Sequence, residues 1–295
     1  MTGNNHATGF GRRDVLRGAA ALGAAALLPG AARAQDFAGR TIEWIIPLAV
    51  GGGSDVWARF HLPFLNRNLP GNPTIVVRNL TGGGGINGTN QFAARARPDG
   101  LMILGTTGST QFPFLLGDPR VRYDYGAWAP VMASPTGGAA YIDPRYGVRG
   151  PQDYARLKAA QGLRFGSQGP TSLDMVPALA FEILELDVQI VMGMQGRGQG
   201  RLAFERGETP IDYQTSSAFI SQVMPLVREG KAVPLWSWGM LNDAGEIVRD
   251  SNFPNLPSFP EFVEAAMGRK PSGPAWEAWK VLFAAGFGAQ KFVVM

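Results

Sequence analysis

The chain has no cysteine among its 295 residues, and that absence excludes disulfides, thiolate metal sites and a lipidated cysteine after a leader. Histidine is almost as scarce, with only His6 and His61. His6 falls in the N-terminal leader described below, so a Ser-His triad or a histidine metal site would have to be built on His61 alone. His61 sits at the border of the apolar face of an expected helix, where a structural histidine is the ordinary occupant. No G-x-S-x-G elbow, H-E-x-x-H pair or Walker A lysine occurs anywhere, which counts against a hydrolase. No metal or cofactor is expected. Long apolar runs are missing as well: the stretch from Ala19 to Leu28 is too short to span a bilayer comfortably. There is no basic stripe interleaved with aromatics, so nucleic acid is not an expected partner.

What is there begins with a leader. Arg12-Arg13 and Arg17 precede the alanine-rich run, and Ala32-Arg33-Ala34 supplies a small-x-small cleavage site before Gln35. Residues 1–34 therefore read as a signal peptide of twin-arginine type. Its removal takes away four arginines and one aspartate, so the formal charge falls from +4 to about +1 and the sequence pI of 9.6 is largely a leader effect. An exported periplasmic protein without a lipid anchor is the expectation.

Glycine is abundant, with 40 residues, and it clusters where strands end. Thr41-Ile-Glu-Trp-Ile-Ile-Pro-Leu-Ala-Val-Gly-Gly-Gly-Ser-Asp55 reads as a buried strand running through three glycines into a helix capped by Ser54 or Asp55, with Trp57, Phe60 and Phe64 on one face. Bare amides at a helix N-terminus, backed by the helix dipole, favour a carboxylate or phosphate. The segment reads equally as such an anion site or as an ordinary tight βα turn. The pattern then repeats. Strand 74–77 leads to glycines 82–88 and a helix over 89–97; strand 101–104 ends in Gly105-Thr-Thr-Gly-Ser-Thr110. In a parallel sheet these turns share the carboxyl edge, where open α/β sheets bind ligands. Strands at 129–133 and 139–142 make a first crossing between domains. Beyond them, strand 163–166 delivers Ser167-Gln-Gly-Pro-Thr-Ser172 to a helix, strand 188–192 leads to glycines 193–200, and strand 211–215 is short. A strand over 231–238 returns to the first domain. Trp236 and Trp238 are expected in core or hinge packing, and Arg197 as a solvated loop arginine in preference to a ligand-facing cation.

Ile46-Pro-Leu-Ala-Val-Gly-Gly-Gly-Ser-Asp55, Asn79-Leu-Thr-Gly-Gly-Gly-Gly-Ile-Asn-Gly-Thr89 and Arg97-Pro-Asp-Gly-Leu-Met-Ile-Leu-Gly-Thr106 resemble, in order and spacing, the substrate-binding proteins of tripartite tricarboxylate transporters, the Bug family. Gly166-Ser167, Gly196, Gly207-Glu208 and Phe253-Pro-Asn-Leu-Pro-Ser258 extend the resemblance along the mature chain. It implies a two-lobed α/β periplasmic binding protein of type II-like fold, each lobe a mainly parallel sheet flanked by helices. Lobe 1 would comprise 35–133 and a returning part at 233–295, with lobe 2 at 134–232. The implied role is non-catalytic: a monomer closes on a small organic acid or amino acid and presents it to the membrane permease subunits. The ligand would be held by Val50, Gly51, Gly52, Gly53, Ser54 and Asp55, by Gly105, Thr106, Thr107 and Gly108, and from lobe 2 by Ser167, Gln168, Thr171, Ser172 and Gly196. Three positions depart from the pattern. Met194 and Gln195 replace an aromatic and a basic residue, and Pro210 stands where the family carries an acid, so Asp212 does not simply inherit that role. The family also continues past Phe292-Val-Val-Met295, which implies a C-terminally incomplete sequence.

Two alternatives stay open. Gly83-x-Gly85-x-x-Gly88 matches the dinucleotide fingerprint of a twin-arginine-exported oxidoreductase using NAD or NADP, although strand 101–104 ends without the acid that would hold the ribose. A closing binding protein would also serve a periplasmic sensor kinase.

Overall fold

The computed structural model describes residues 36–288 and 290–295; the leader and its cleavage site lie outside them. The first lobe is built on parallel βα units. Strands β1 (Thr41–Ile46), β2 (Thr74–Asn79) and β3 (Met102–Thr106) each run into a small-residue turn and then into α1 (Gly53–Asn68), α2 (Ile86–Arg95) and α3 (Gly108–Leu115). β1 pairs in parallel with both β2 and β3, so the three turns emerge at one edge of the sheet. β4 (Pro130–Ser134) closes the other side, and the C-terminal β12 (Lys291–Val294) inserts antiparallel between β3 and β4, giving the order β2-β1-β3-β12-β4. Ile42, Trp44 and Ile46 of β1 pack with Trp57 and Ala58 of α1, Trp44 meeting Trp57 edge-on at 5.9 Å.

The face of α1 differs from the expected one. Trp57 is buried, but Phe60 is 64% exposed and Phe64 is exposed as well. The helix meets the sheet through Trp57, Ala58, Leu62 and Leu65 instead, a stripe rotated away from the two phenylalanines, which contact one another at 5.6 Å.

The second lobe holds α4 (Tyr154–Lys158), β6 (Leu163–Ser167), α5 (Met175–Ile183), β7 (Val188–Met192), α6 (Arg197–Glu205) and a helical segment α7 over 216–228 that includes a π turn at Phe219–Val223. β6 and β7 are parallel. β5 (Gly138–Ile142) lies between β8 (Ile211–Thr215) and β9 (Val233–Ser237) and is antiparallel to both, so this lobe departs from a mainly parallel sheet. The 231–238 strand accordingly does not return to the first sheet. Trp236 and Trp238 hold it in the second lobe, buried against Phe259 and Phe262 of α8 (Phe259–Met267) and Phe287 of α9 (Pro274–Phe287). A short hairpin, β10 (Met240–Leu241) with β11 (Ile247–Val248), separates β9 from α8. The chain regains the first sheet only with β12. Along α9, Trp276, Trp279 and Phe283 stack in series, and Gly286 lets the helix approach Phe112 and Gly108 of α3.

Candidate functional site

The two lobes meet turn against turn. The Ala49 amide donates to Gln195 O at 3.0 Å, and the Ser217 hydroxyl donates to Gly53 O at 3.3 Å. Glycine makes this approach possible. A β-carbon at Gly198 would lie 2.8 Å from Val50 O and 2.9 Å from Gly52 N, and one at Gly196 would lie 3.0 Å from Ala49 N. Ser109 at the start of α3 takes hydrogen bonds from Gln168 Nε2 (3.1 Å) and Leu173 N (3.3 Å). At the rim, Thr171 donates to Asp118 at 3.0 Å; the Arg120 guanidinium beside Asp118 holds that carboxyl well below the usual carboxylate range.

Two adjoining cavities lie along this seam and share Ser109 and Gln168. The inner one is a slot of about 10 Å³ lined by Gly52, Gly53, Ser54, Thr107, Arg197, Thr215, Gln290 and Lys291 among others. The outer one, about 260 Å³, runs past Gly83, Gly84, Arg120 and the 168–172 and 192–195 turns. Its size is near the lower end of the roughly 300–1,000 Å³ typical of small-molecule sites.

The turns framing these cavities differ in what their amides already hold. Asp55, expected as a cap, instead reaches back to accept from Gly51 N at 3.0 Å and pairs with Arg59. In α3, Thr107 and Thr110 form a reciprocal capping box, so that N-terminus is satisfied from within. In the second lobe the Asp174 carboxylate accepts from Gln168 N at 2.6 Å, and the Ser167 and Ser172 hydroxyls bond to Gly169 of their own turn. α1, like α2 (N-cap Gly85) and α6 (N-cap Gly196), starts from a glycine with no side chain to cap with. Its N-cap is Gly52, and Ser54 is the acceptor of a hydrogen bond from Lys291 Nζ at 2.8 Å, a contact that the other two starts lack among the described residues. The first-turn amides, the positive end of the helix dipole, therefore face the inner slot without a side-chain acceptor.

Of the residues singled out in the sequence, the cavities bring together Gly52, Gly53, Ser54, Thr107, Gln168, Thr171 and Ser172. Gly196 abuts them through Ala49. Val50 is 65% exposed at the rim, and Gly51 and Asp55 are bound to each other. Gly105 lies within β3, where a β-carbon would meet Ile46 and Trp44. Thr106 is buried beside it, and Gly108 packs against Leu173.

Two buried cations stand at the slot, one placed otherwise than expected and the other, Lys291, not singled out in the sequence. Arg197 is no solvated loop residue: it opens α6, is 5% exposed, pairs with Asp212 and Asp174, donates to Gly166 O at 2.5 Å, and lies over the rings of Phe165 and Tyr213. Asp212 also accepts from Tyr141 Oη at 2.5 Å. Lys291 is 2% exposed, and among the described residues no carboxylate pairs with it. Burial pulls its ammonium down to about 7. The signal that could have pointed to it is a lysine directly preceding the apolar Phe292-Val-Val294.

Gly83 and Gly85 both have positive φ in a 3-10 turn, and Gly88 lets α2 pack against Pro47 and Leu80. Among the described residues no helix is long and apolar enough to cross a membrane.

No family model matches the chain. Over 137 residues it is 33% identical to a protein of Pseudomonas sp. (strain P51) described as the UPF0065 protein in the tcbD-tcbE intergenic region. The match covers 46% of this chain, and the chain spans only 39% of the length of that relative. Solved structures resemble it over most of its length. The periplasmic binding protein BugD superposes with a TM-score of 0.62 at 16% identity, covering 86% of this chain and 88% of that one. MatC of Rhodopseudomonas palustris, with bound malate, gives 0.62 at 19% identity over 83% and 82%. An R. palustris protein with adipate gives 0.60 at 15% over 85% and 95%. At these identities the likeness is one of fold, and that fold is the two-lobed α/β architecture of periplasmic binding proteins.

Proposed function

We propose that this chain is a periplasmic binding protein of the Bug family that captures a small carboxylate between its lobes and presents it to the permease of a tripartite tricarboxylate-type transporter. The observation that carries the reading is the uncapped N-terminus of α1 at the interlobe slot, beside an outer cavity with room for the rest of a small acid. The capping box at 107–110 and the Ser167, Ser172 and Asp174 side chains already engage donors of their own turns, so the acid's charge goes to Gly52–Ser54 and its body towards Gln168–Ser172. The malate and adipate bound by two proteins of the same fold support this ligand class. Closure works because glycine-lined backbone from both lobes seals the slot, and exclusion of water strengthens each polar contact inside.

A thermal-shift screen of the purified protein against malate, succinate, adipate, citrate, glutamate and benzoate tests the reading. At least one acid should raise the melting temperature in a concentration-dependent way, and its amide should not. Stabilisation by NAD or NADP, with none by the acids, would replace this reading with the oxidoreductase one.

A further inference from the structure

The geometry points to Lys291 as the cation that meets the ligand's carboxylate in the interlobe slot. The inference rests on the carboxylate-binding reading and assigns to a side chain what that reading gives to backbone alone.

Three observations carry it. Lys291 Nζ donates to Ser54 Oγ in the first turn of α1, where the helix dipole is positive and a cation is disfavoured. Two positive features are thus buried side by side, and an anion admitted as the lobes part, since the closed slot of about 10 Å³ has room for little more than a water, would relieve both. Second, the charged groups facing the slot leave Lys291 unneutralised. From α1, Asp55 is engaged by Gly51 and Arg59. From α6, Arg197 is a second cation, and Asp174 and Asp212 are spent on it. From β8, Tyr213 donates its hydroxyl to Asp174. On the sheet side, β12 pairs with β3 and β4, where Lys291 stands opposite Ser134. Third, the slot holds buried polar atoms without hydrogen-bond partners: Thr215 Oγ1, Gln168 Oε1 and Gln290 Oε1. Buried polar groups are ordinarily satisfied. A carboxylate accepting from Lys291 and the Thr215 hydroxyl would satisfy those two donors, and the two amide oxygens, which are acceptors, would need donors such as the hydroxyl or ammonium of a hydroxy or amino acid.

A consequence is proton uptake on binding. Burial alone holds the free lysine near 7, and a bound carboxylate would raise it. Affinity should therefore weaken as pH rises, tracking the protonated fraction of the free protein.

Isothermal titration calorimetry with malate, adipate, citrate, glutamate and benzoate, in two buffers of different ionisation enthalpy, reads this directly. An acid that binds should bind about twenty-fold more weakly at pH 8.5 than at pH 6.5 and take up protons. Lys291→Met should lose about thirty-fold or more at pH 6.5 and show no pH slope. The variant should fold, since replacing a buried charge by an apolar group of similar volume is commonly neutral or stabilising. If the wild type binds an acid with less than three-fold change over this range and Lys291→Met binds equally well, the assignment to Lys291 is overturned while the backbone site stands. If the wild type binds none of these acids, the carboxylate reading falls and Lys291 falls with it.

Discussion

Arg197 and Lys291 line the same slot, are buried to nearly the same degree, and come from opposite lobes. Arg197 is answered on every side: two carboxylates, two backbone carbonyls and two aromatic faces. Lys291 has one hydroxyl. A buried ion is tolerated when its partners are built into the fold, and then its work is structural, here joining β6, β8, α5 and α6. A buried ion with no built-in counter-charge is a standing cost, which a bound anion would offset. Helix starts show the same contrast. α3 and the 167–174 turn supply their own acceptors, whereas α1 opens with Gly52.

Four variants break or sharpen this comparison. The largest effect should come from Arg197→Met, which leaves Asp174 and Asp212 buried together without their cation. Urea denaturation should show a loss of about 3–5 kcal/mol, and a loss under about 1 kcal/mol would mean that the network does not hold the lobe.

Lys291→Met should behave in the opposite way. The folded pKa lies below the ordinary lysine value of 10.5, so between about 7 and 10.5 the unfolded chain holds more protons than the folded one. Wild-type stability is therefore least below that window and rises with pH through it. Measured against Lys291→Met, the wild type should gain about 2 kcal/mol between pH 7 and pH 9. Parallel stability profiles would contradict the burial of a free ammonium.

Next in size is Gly53→Ala. A β-carbon at this position would overlap the Thr215 hydroxyl, so closure should be hindered and affinity for a stabilising acid should drop about ten-fold, roughly 1.4 kcal/mol, with unfolding stability changed by about 0.5 kcal/mol or less. Unaltered affinity would show that Gly53 and Thr215 do not meet in the bound state. The smallest effect serves as the control. Ser258 and Glu261 cap α8 far from the slot, and Ser258→Ala should cost about 1 kcal/mol of stability while leaving acid affinity as it was.

Much of the first lobe is legible in the sequence because its information is local. β1 to β3 are short apolar runs, the glycine turns follow at fixed spacing, and parallel pairing places them on one edge. The positions of the turns can be read from the sequence, but which of them stays open for a ligand depends on single side chains. Nothing in the spacing of Asp55 distinguishes a cap of α1 from a partner for Gly51. The second lobe is less legible. β9 carries the same alternation whichever sheet it joins, and its place was decided by burial of Trp236 and Trp238 against helices further along the chain. Arg197 sits in a glycine cluster that looks solvated, and its burial depends on Asp174 and Asp212 arriving from other elements. Lys291 reaches Ser54, 237 positions earlier, only because β12 inserts between β3 and β4. No local pattern encodes that pairing.

Native mass spectrometry of the protein purified without denaturation tests the central claim most directly. The account predicts a co-purified organic acid at one per chain, lost when the lobes are opened by mild denaturant. Bound NAD or NADP, or a chain that carries no acid and acquires none from the panel, would contradict it.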